Sequence, residues 1–223
     1  MIIGTSKSTT HDGKNEYVIK ISKMMPPATN DYYQANAKLF FDQTVAVNLS
    51  ELYQCFIANL PPLARILDAG CGSGRDSKHF LDAGYKVTAF DASSCLAQLA
   101  SEYIGRSVKV QSFSEIEYLS EFDGIWACAS LLHVPMIEMP EAFLRLRRAL
   151  VKDGILYASF KYGMGEHDRN GRMFTDMNEV VLSDLIDRVG GFSEIQTWVT
   201  GDQRAGREDE LWLNTLLRLE EGS

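Results

Sequence analysis

The stretch Asp68-Ala69-Gly70-Cys71-Gly72-Ser73-Gly74 sets three glycines at alternate positions directly behind a short apolar run. Without a Cβ, a glycine lets the main chain approach a ligand closely and turn sharply. A second carboxylate, Asp91, closes the next apolar run and suits the hydroxyls of a ribose, since it accepts at both oxygens. Further along stand a histidine, His133, and a set of cations: Lys161, Arg169 and Arg172, then Arg204 and Arg207. An imidazole can remove a substrate proton, and gathered cations can hold a carboxylate or oxyanion.

The elements that must position these groups alternate. "ARILDAG", "YKVTAFDA", "SVKVQSF", "FDGIWACAS" and "GILYASFKYG" read as strands. "RDSKHFLDAG", "SSCLAQLASEYIG" and "PMIEMPEAFLRLRRAL" read as the helices between them, with a serine start and glycine stops. "MNEVVLSDLIDRVGG" is a further helix, and "FSEIQTWVT" and "ELWLNTLLRL" are the last strands. This alternation implies βαβ units and a mostly parallel sheet with helices on both faces. "GDQRAGRED" leaves no room for a crossover helix, so the last strand should run antiparallel. Ahead of the sheet, "NDYYQANAKLFFDQTVAVNLSELYQCFIANL" reads as one or two helices stopped by Pro61-Pro62. Residues 1–28 read as a flexible tail and residues 29–220 as a single domain.

Three ligands compete for the glycine loop. A phosphate-cradling P-loop needs a Lys-Ser/Thr pair after the glycines, and none follows. A dinucleotide fingerprint needs a third glycine where Arg75 or Ser77 stands. What remains is the pattern Asp68, Gly70, Gly72, Gly74, followed by "FDAS" after the second strand. This pattern resembles the first two motifs of class I S-adenosylmethionine-dependent methyltransferases, over residues 30–220. The stretch "GSGRDSKHFLDAGYKVTAFDAS" is similar in particular to the small-molecule, tellurite-resistance type.

The resemblance implies a Rossmann-like seven-stranded sheet with an antiparallel last strand, and S-adenosylmethionine as methyl donor. It assigns the donor to Asp68, Gly70, Cys71, Gly72, Asp91, Ala92, Ser112, Phe113, Ala129 and Tyr32. Asp68 would organise the loop and the donor's amino group, Asp91 the ribose, and Ala92, Ser112 and Phe113 the adenine. Ser112 stands where many members carry an acidic residue. Tyr32 belongs to a segment that folds over the donor as a lid in this family; core packing at helical spacing accounts for it equally.

The acceptor is less defined. After the fourth strand, "ACASLLHVP" lacks the Asp/Asn-Pro-Pro-Tyr/Phe signature of enzymes that methylate amino groups of DNA bases. His133 has two readings, a general base or a helix-start histidine bonded to backbone. Lys161, Tyr162, Arg172 and Arg204 are either an anionic acceptor's subsite or ordinary solvated loop charge. A net charge of −8 and a pI near 5.0 disfavour a nucleic-acid partner, because an acidic surface repels phosphates. At 45% apolar and 23% charged residues, the composition is that of a soluble globular chain. No apolar run approaches the roughly 20 residues of a membrane span. The four cysteines are too scattered for a zinc site or a disulfide framework, which points to a reducing, cytoplasmic setting. The expected function is methyl transfer from S-adenosylmethionine to a small acceptor, an anionic one if the cations act together. An RNA methyltransferase and a non-catalytic S-adenosylmethionine-binding regulator are the alternatives, and no metal is expected.

Overall fold

A computed structural model describes residues 27–204, 206–207 and 209–220. Three helices come first: α1 (Pro27–Ala35), α2 (Ala37–Thr44) and α3 (Ser50–Ile57). The expected tail lies outside the described residues except for Pro27 and Ala28, which open α1. The segment forms three helices rather than one or two, because the chain breaks helical geometry at Asn36 and again over residues 45–49.

The alternation then follows as β1 (Arg65–Ala69), α4 (Arg75–Asp82), β2 (Lys86–Asp91), α5 (Ser94–Ile104), β3 (Lys109–Val110), β4 (Phe122–Ala127), α6 (Met139–Ala149) and β5 (Leu150–Lys161). Local signals set the boundaries. The Ser93 hydroxyl accepts from the Leu96 N–H at the start of α5, and Gly105 closes that helix in the left-handed region. β6 (Gly165–Asp168) and β7 (Met173–Asp176) form a separate hairpin, followed by α7 (Glu179–Val189), β8 (Phe192–Gly201) and β9 (Leu211–Leu219).

The main sheet has seven strands in the order β3-β2-β1-β4-β5-β9-β8. β1 to β5 pair parallel, while β9 lies antiparallel between β5 and β8. The Rossmann-like sheet with a reversed last strand is therefore present as expected. The hairpin was not anticipated. Its turn, Asn170-Gly171, has φ of +57° and +78°, the left-handed pair that a two-residue hairpin turn requires.

Alternate residues along the central strands feed two cores. Leu67, Ile125 and Leu156 face α6 and α7. Ile66, Trp126 and Tyr157 face α3 and α4, with Tyr53, Phe56 and Phe80 packed against them. Buried in this second layer, Asp76 accepts from the Trp126 indole N–H at 2.9 Å and from the Tyr53 hydroxyl. The Arg75 guanidinium also reaches both its oxygens, at 2.6 and 3.0 Å. Burial works against the charge on Asp76, yet Arg75 and the two ring donors hold its carboxyl below the usual range.

A buried charge stripped of its partners is costly, whereas an exposed pair contributes little. Asp76→Ala, which strands Arg75, should therefore lower stability by about 3–5 kcal/mol in urea titrations. Lys38→Ala, which breaks the exposed Lys38–Asp42 pair, should cost under about 1 kcal/mol. Equal costs would contradict the role given to the buried cluster.

Candidate functional site

The glycine loop leaves β1 at the carboxyl edge of the sheet, beside the end of β2. Gly70 and Gly72 hold φ of +78° and +54°. A Cβ on Gly70 would lie 2.5 Å from the Ser130 Cβ, and one on Gly72 would lie 3.0 Å from the Phe40 ring. Both positions thus require glycine for space as well as for conformation. The Asp91 carboxylate anchors the loop: one oxygen accepts the Gly72 N–H and the other the Ser93 N–H, each at 2.9 Å. Burial pushes the Asp91 carboxyl up to about 6, against the pull of these two donors.

Against this loop lies a small cavity of about 60 Å³, lined by Asp91, Ala92, Leu96, Gln111, Ser112 and Phe113 among others. It adjoins a chamber of about 880 Å³. Tyr33, Phe40, Gly70, Gly72, Ala129 and His133 line both. Ala129 takes a left-handed φ of +51°, and its N–H is held by the Ser159 hydroxyl at 2.9 Å. Strain of this kind gathers where a loop end must point a backbone group into a site.

The sequence-predicted donor residues Gly70, Cys71, Gly72, Asp91, Ala92, Ser112, Phe113 and Ala129 all line one or both cavities. Asp68 does not. It lies fully buried behind the loop, accepting from the Ser77 hydroxyl at 2.6 Å, and burial together with Asp76 raises its carboxyl. The Ser112 hydroxyl donates to Glu115 at 2.7 Å. Tyr32 lines neither cavity; its ring carries the Arg172 guanidinium at 4.4 Å, and its neighbour Tyr33 lines both. Burial pushes the Cys128 thiol up to about 12 and that of Cys71 well above the ordinary range, which leaves neither as a nucleophile at neutral pH.

Lys161, Tyr162, Arg172 and Arg204 all face the larger chamber, yet their charges differ in availability. Lys161 contacts Asp202 and Glu210 and lies 4.0 Å over the Trp212 ring. Arg204 grips Asp202 with two donors, and despite partial burial this holds the Asp202 carboxyl far below the usual range. Arg169 is bound to Asp176 and Arg207 to Glu210. Tyr162 donates to Glu179 at 3.1 Å. Arg172 has no carboxylate partner among the described residues; it lies over Tyr32 and Phe174, and its Nε is buried with no hydrogen-bond partner. Sequence reading did not separate this arginine from the others, although Arg169, Arg204 and Arg207 each find their acid within seven residues along the chain. It took Tyr33 only together with Tyr32, as part of the lid segment, and missed Arg75, Gln111 and Asp202.

His133 is 4% exposed, with Nε2 2.8 Å from the Tyr33 hydroxyl and Nδ1 2.7 Å from the Met173 carbonyl oxygen. Burial lowers its pKa to about 4; Arg172 adds to the effect and the Met173 carbonyl opposes it. Among the described residues no group of three metal-ligating side chains converges, and no helix is long and apolar enough to cross a membrane.

Residues 66–154 match the family model of a methyltransferase domain. The chain is 30% identical over 115 residues to a putative methyltransferase, YqeM, of Bacillus subtilis, covering 47% of each chain. Over 101 residues it is 34% identical to a ubiquinone biosynthesis O-methyltransferase of Xanthomonas axonopodis, covering 42% of this chain and 41% of that one. The match thus spans less than half the length of these relatives. Among solved structures, a Burkholderia thailandensis 1,6-didemethyltoxoflavin-N1-methyltransferase, with its substrate and S-adenosylhomocysteine bound, superposes with a TM-score of 0.71. That likeness holds at 20% identity and covers 87% of this chain and 88% of the other, which places the two in one fold.

The neutral His133 ring has a stability consequence with a definite sign. As pH falls below about 6.5, the unfolded chain binds a proton that the folded chain refuses until about 4. Stability should therefore decline across that window, by about 3 kcal/mol in full. In urea titrations the advantage of the wild type over His133→Gln should shrink by about 2–3 kcal/mol between pH 7 and pH 4.5. A constant advantage would contradict a buried, neutral imidazole.

Proposed function

We propose that this protein transfers a methyl group from S-adenosylmethionine to a small, anionic acceptor. The methyltransferase-domain match over residues 66–154 supports the reaction class. The observation that carries the acceptor reading is the Arg172 guanidinium, which faces the chamber without, among the described residues, the carboxylate that every other cation named there possesses.

The residues present fit the donor. The bare glycine backbone at Gly70 and Gly72 lines both cavities beside a buried carboxylate, and Ala92 and Phe113 line the smaller one. Asp91 keeps an unused lone pair on each oxygen for a ribose diol. Ala92 and Phe113 offer apolar faces to a planar base, and Ser112, its proton committed to Glu115, can accept at that base's edge. When bound, the donor supplies an activated methyl group on sulfur that departs as a neutral thioether. Little proton chemistry is needed to trigger such a step, so alignment of the acceptor against the methyl carbon is the main contribution asked of the protein.

Residues 29–220 form one domain in this reading, with α1 and α2 as a lid. α1 is tied to the donor rim through Gln34 Oε1, which accepts from the Ser93 hydroxyl and the Cys95 N–H, each at 2.9 Å. It is tied to the hairpin through Thr29 Oγ1, which accepts from the Met173 N–H at 2.9 Å. Breaking both ties would open the chamber to solvent, and closing them excludes water. The narrower likeness to tellurite-resistance-type enzymes rests on residues 72–93 alone, and the acceptor class follows from the chamber's charges instead.

Asp91→Ala should weaken S-adenosylmethionine binding about a hundred-fold in calorimetry, since two charge-assisted hydrogen bonds are lost. The circular dichroism spectrum should be unchanged. Undiminished affinity would refute the ribose role of Asp91.

A further inference from the structure

The wall of the chamber contains a hydrogen-bond chain whose polarity has only one solution. The Met173 main-chain oxygen is an acceptor, so His133 Nδ1, 2.7 Å away, carries the proton of the neutral ring. Nε2 is then a bare lone pair, and the Tyr33 hydroxyl 2.8 Å from it must donate. Tyr33 has a single proton, and it is committed. Toward the chamber its oxygen can only accept. Arg172, whose charge pulls on the same hydroxyl, can only donate.

We propose that Tyr33, oriented by His133, selects an acceptor whose reacting atom is a hydroxyl carried close to an anionic group, the anion held by Arg172 and the hydroxyl proton directed at Tyr33 Oη. The proposal rests on the methyl-transfer reading and refines its substrate class. A methoxy or unsubstituted analogue donates nothing to the Tyr33 oxygen, which is then left to its hydrogen bond from Arg172.

The chain also receives the proton that the reaction releases. The acceptor oxygen forms its bond to the methyl carbon, and the carbon–sulfur bond breaks with its electron pair passing to sulfur. The hydroxyl proton moves to Tyr33 Oη while the Tyr33 proton moves to His133 Nε2, leaving an imidazolium bonded to Met173. Later loss of that proton to solvent restores the chain. A base as weak as His133 cannot ionise a hydroxyl beforehand. It can accept from the strongly acidic oxonium that forms as the methyl arrives. An amine, whose methylated cation holds its proton firmly, gains nothing from such a chain.

The test uses the full chain saturated with S-adenosylhomocysteine and three probes: 3-hydroxybenzoate, 3-methoxybenzoate and benzoate. Calorimetry of the wild type should show 3-hydroxybenzoate binding at least ten-fold tighter than the other two. Tyr33→Phe should bring that ratio close to one with benzoate and S-adenosylhomocysteine affinities unchanged, a split that general damage to the lid would not produce. Arg172→Met should weaken all three anions at least ten-fold. With labelled S-adenosylmethionine, 3-hydroxybenzoate should accept label and 3-aminobenzoate should not. Hydroxyl preference surviving in Tyr33→Phe, anion affinity surviving in Arg172→Met, or no binding of any probe overturns the proposal. If S-adenosylhomocysteine binds normally in that case, the methyl-transfer reading stands; if it does not bind at all, that reading fails first.

Discussion

The contact on which the site depends is the Asp91 carboxylate bound to the Gly72 N–H. It joins the end of β2 to the loop that leaves β1, and so fixes how far the glycine backbone stands from the strand edge. Gly70 and Cys71 reinforce this by both donating to the Phe90 carbonyl oxygen, at 3.0 and 2.9 Å. A loop in left-handed conformations would otherwise have many shapes available, since glycine restricts the chain so little. With its position set, the cavity on the Ala92 side and the chamber on the Arg172 side meet along one wall.

The chamber is governed by charge compensation. Lys161, Arg204 and Arg207 meet Asp202 and Glu210, and Arg169 meets Asp176, so these cations act mainly as struts for the loops that carry them. Burial makes the pairing of Lys161 with Asp202 necessary. Arg172 is treated differently: aromatic rings from α1 and β7 support its flat guanidinium, and among the described residues no acid closes it. Rings support a cation without neutralising it, which leaves the charge available to a ligand.

Most of the fold was legible in the sequence, for identifiable reasons. Strand–helix alternation and the nine-residue stretch 201–209 dictate a parallel sheet with a reversed last strand. Ser93 and Gly105 marked the ends of α5 as such residues should. The hairpin was equally legible, through Asn170-Gly171, but its flanking charges were read as loop. The glycine loop and the Asp91–Ala92 turn were legible because their residues cluster within two motifs, except that Asp68 turned inward to Ser77. The pairing within the larger chamber was not. The acids that neutralise Lys161, Asp202 and Glu210, lie more than forty residues on, and the tautomer of His133 depends on the Met173 carbonyl forty residues on. Such contacts leave no local pattern in a single sequence.

The central claim is that a small anion, rather than RNA or no acceptor at all, receives the methyl group. Its most direct measurement incubates the protein with S-adenosylmethionine labelled in the methyl group and a cell extract, then separates RNA, protein and low-mass fractions. The account predicts label in low-mass material retained on an anion exchanger. Label in RNA, or no transfer by a protein that binds the donor tightly, would contradict it.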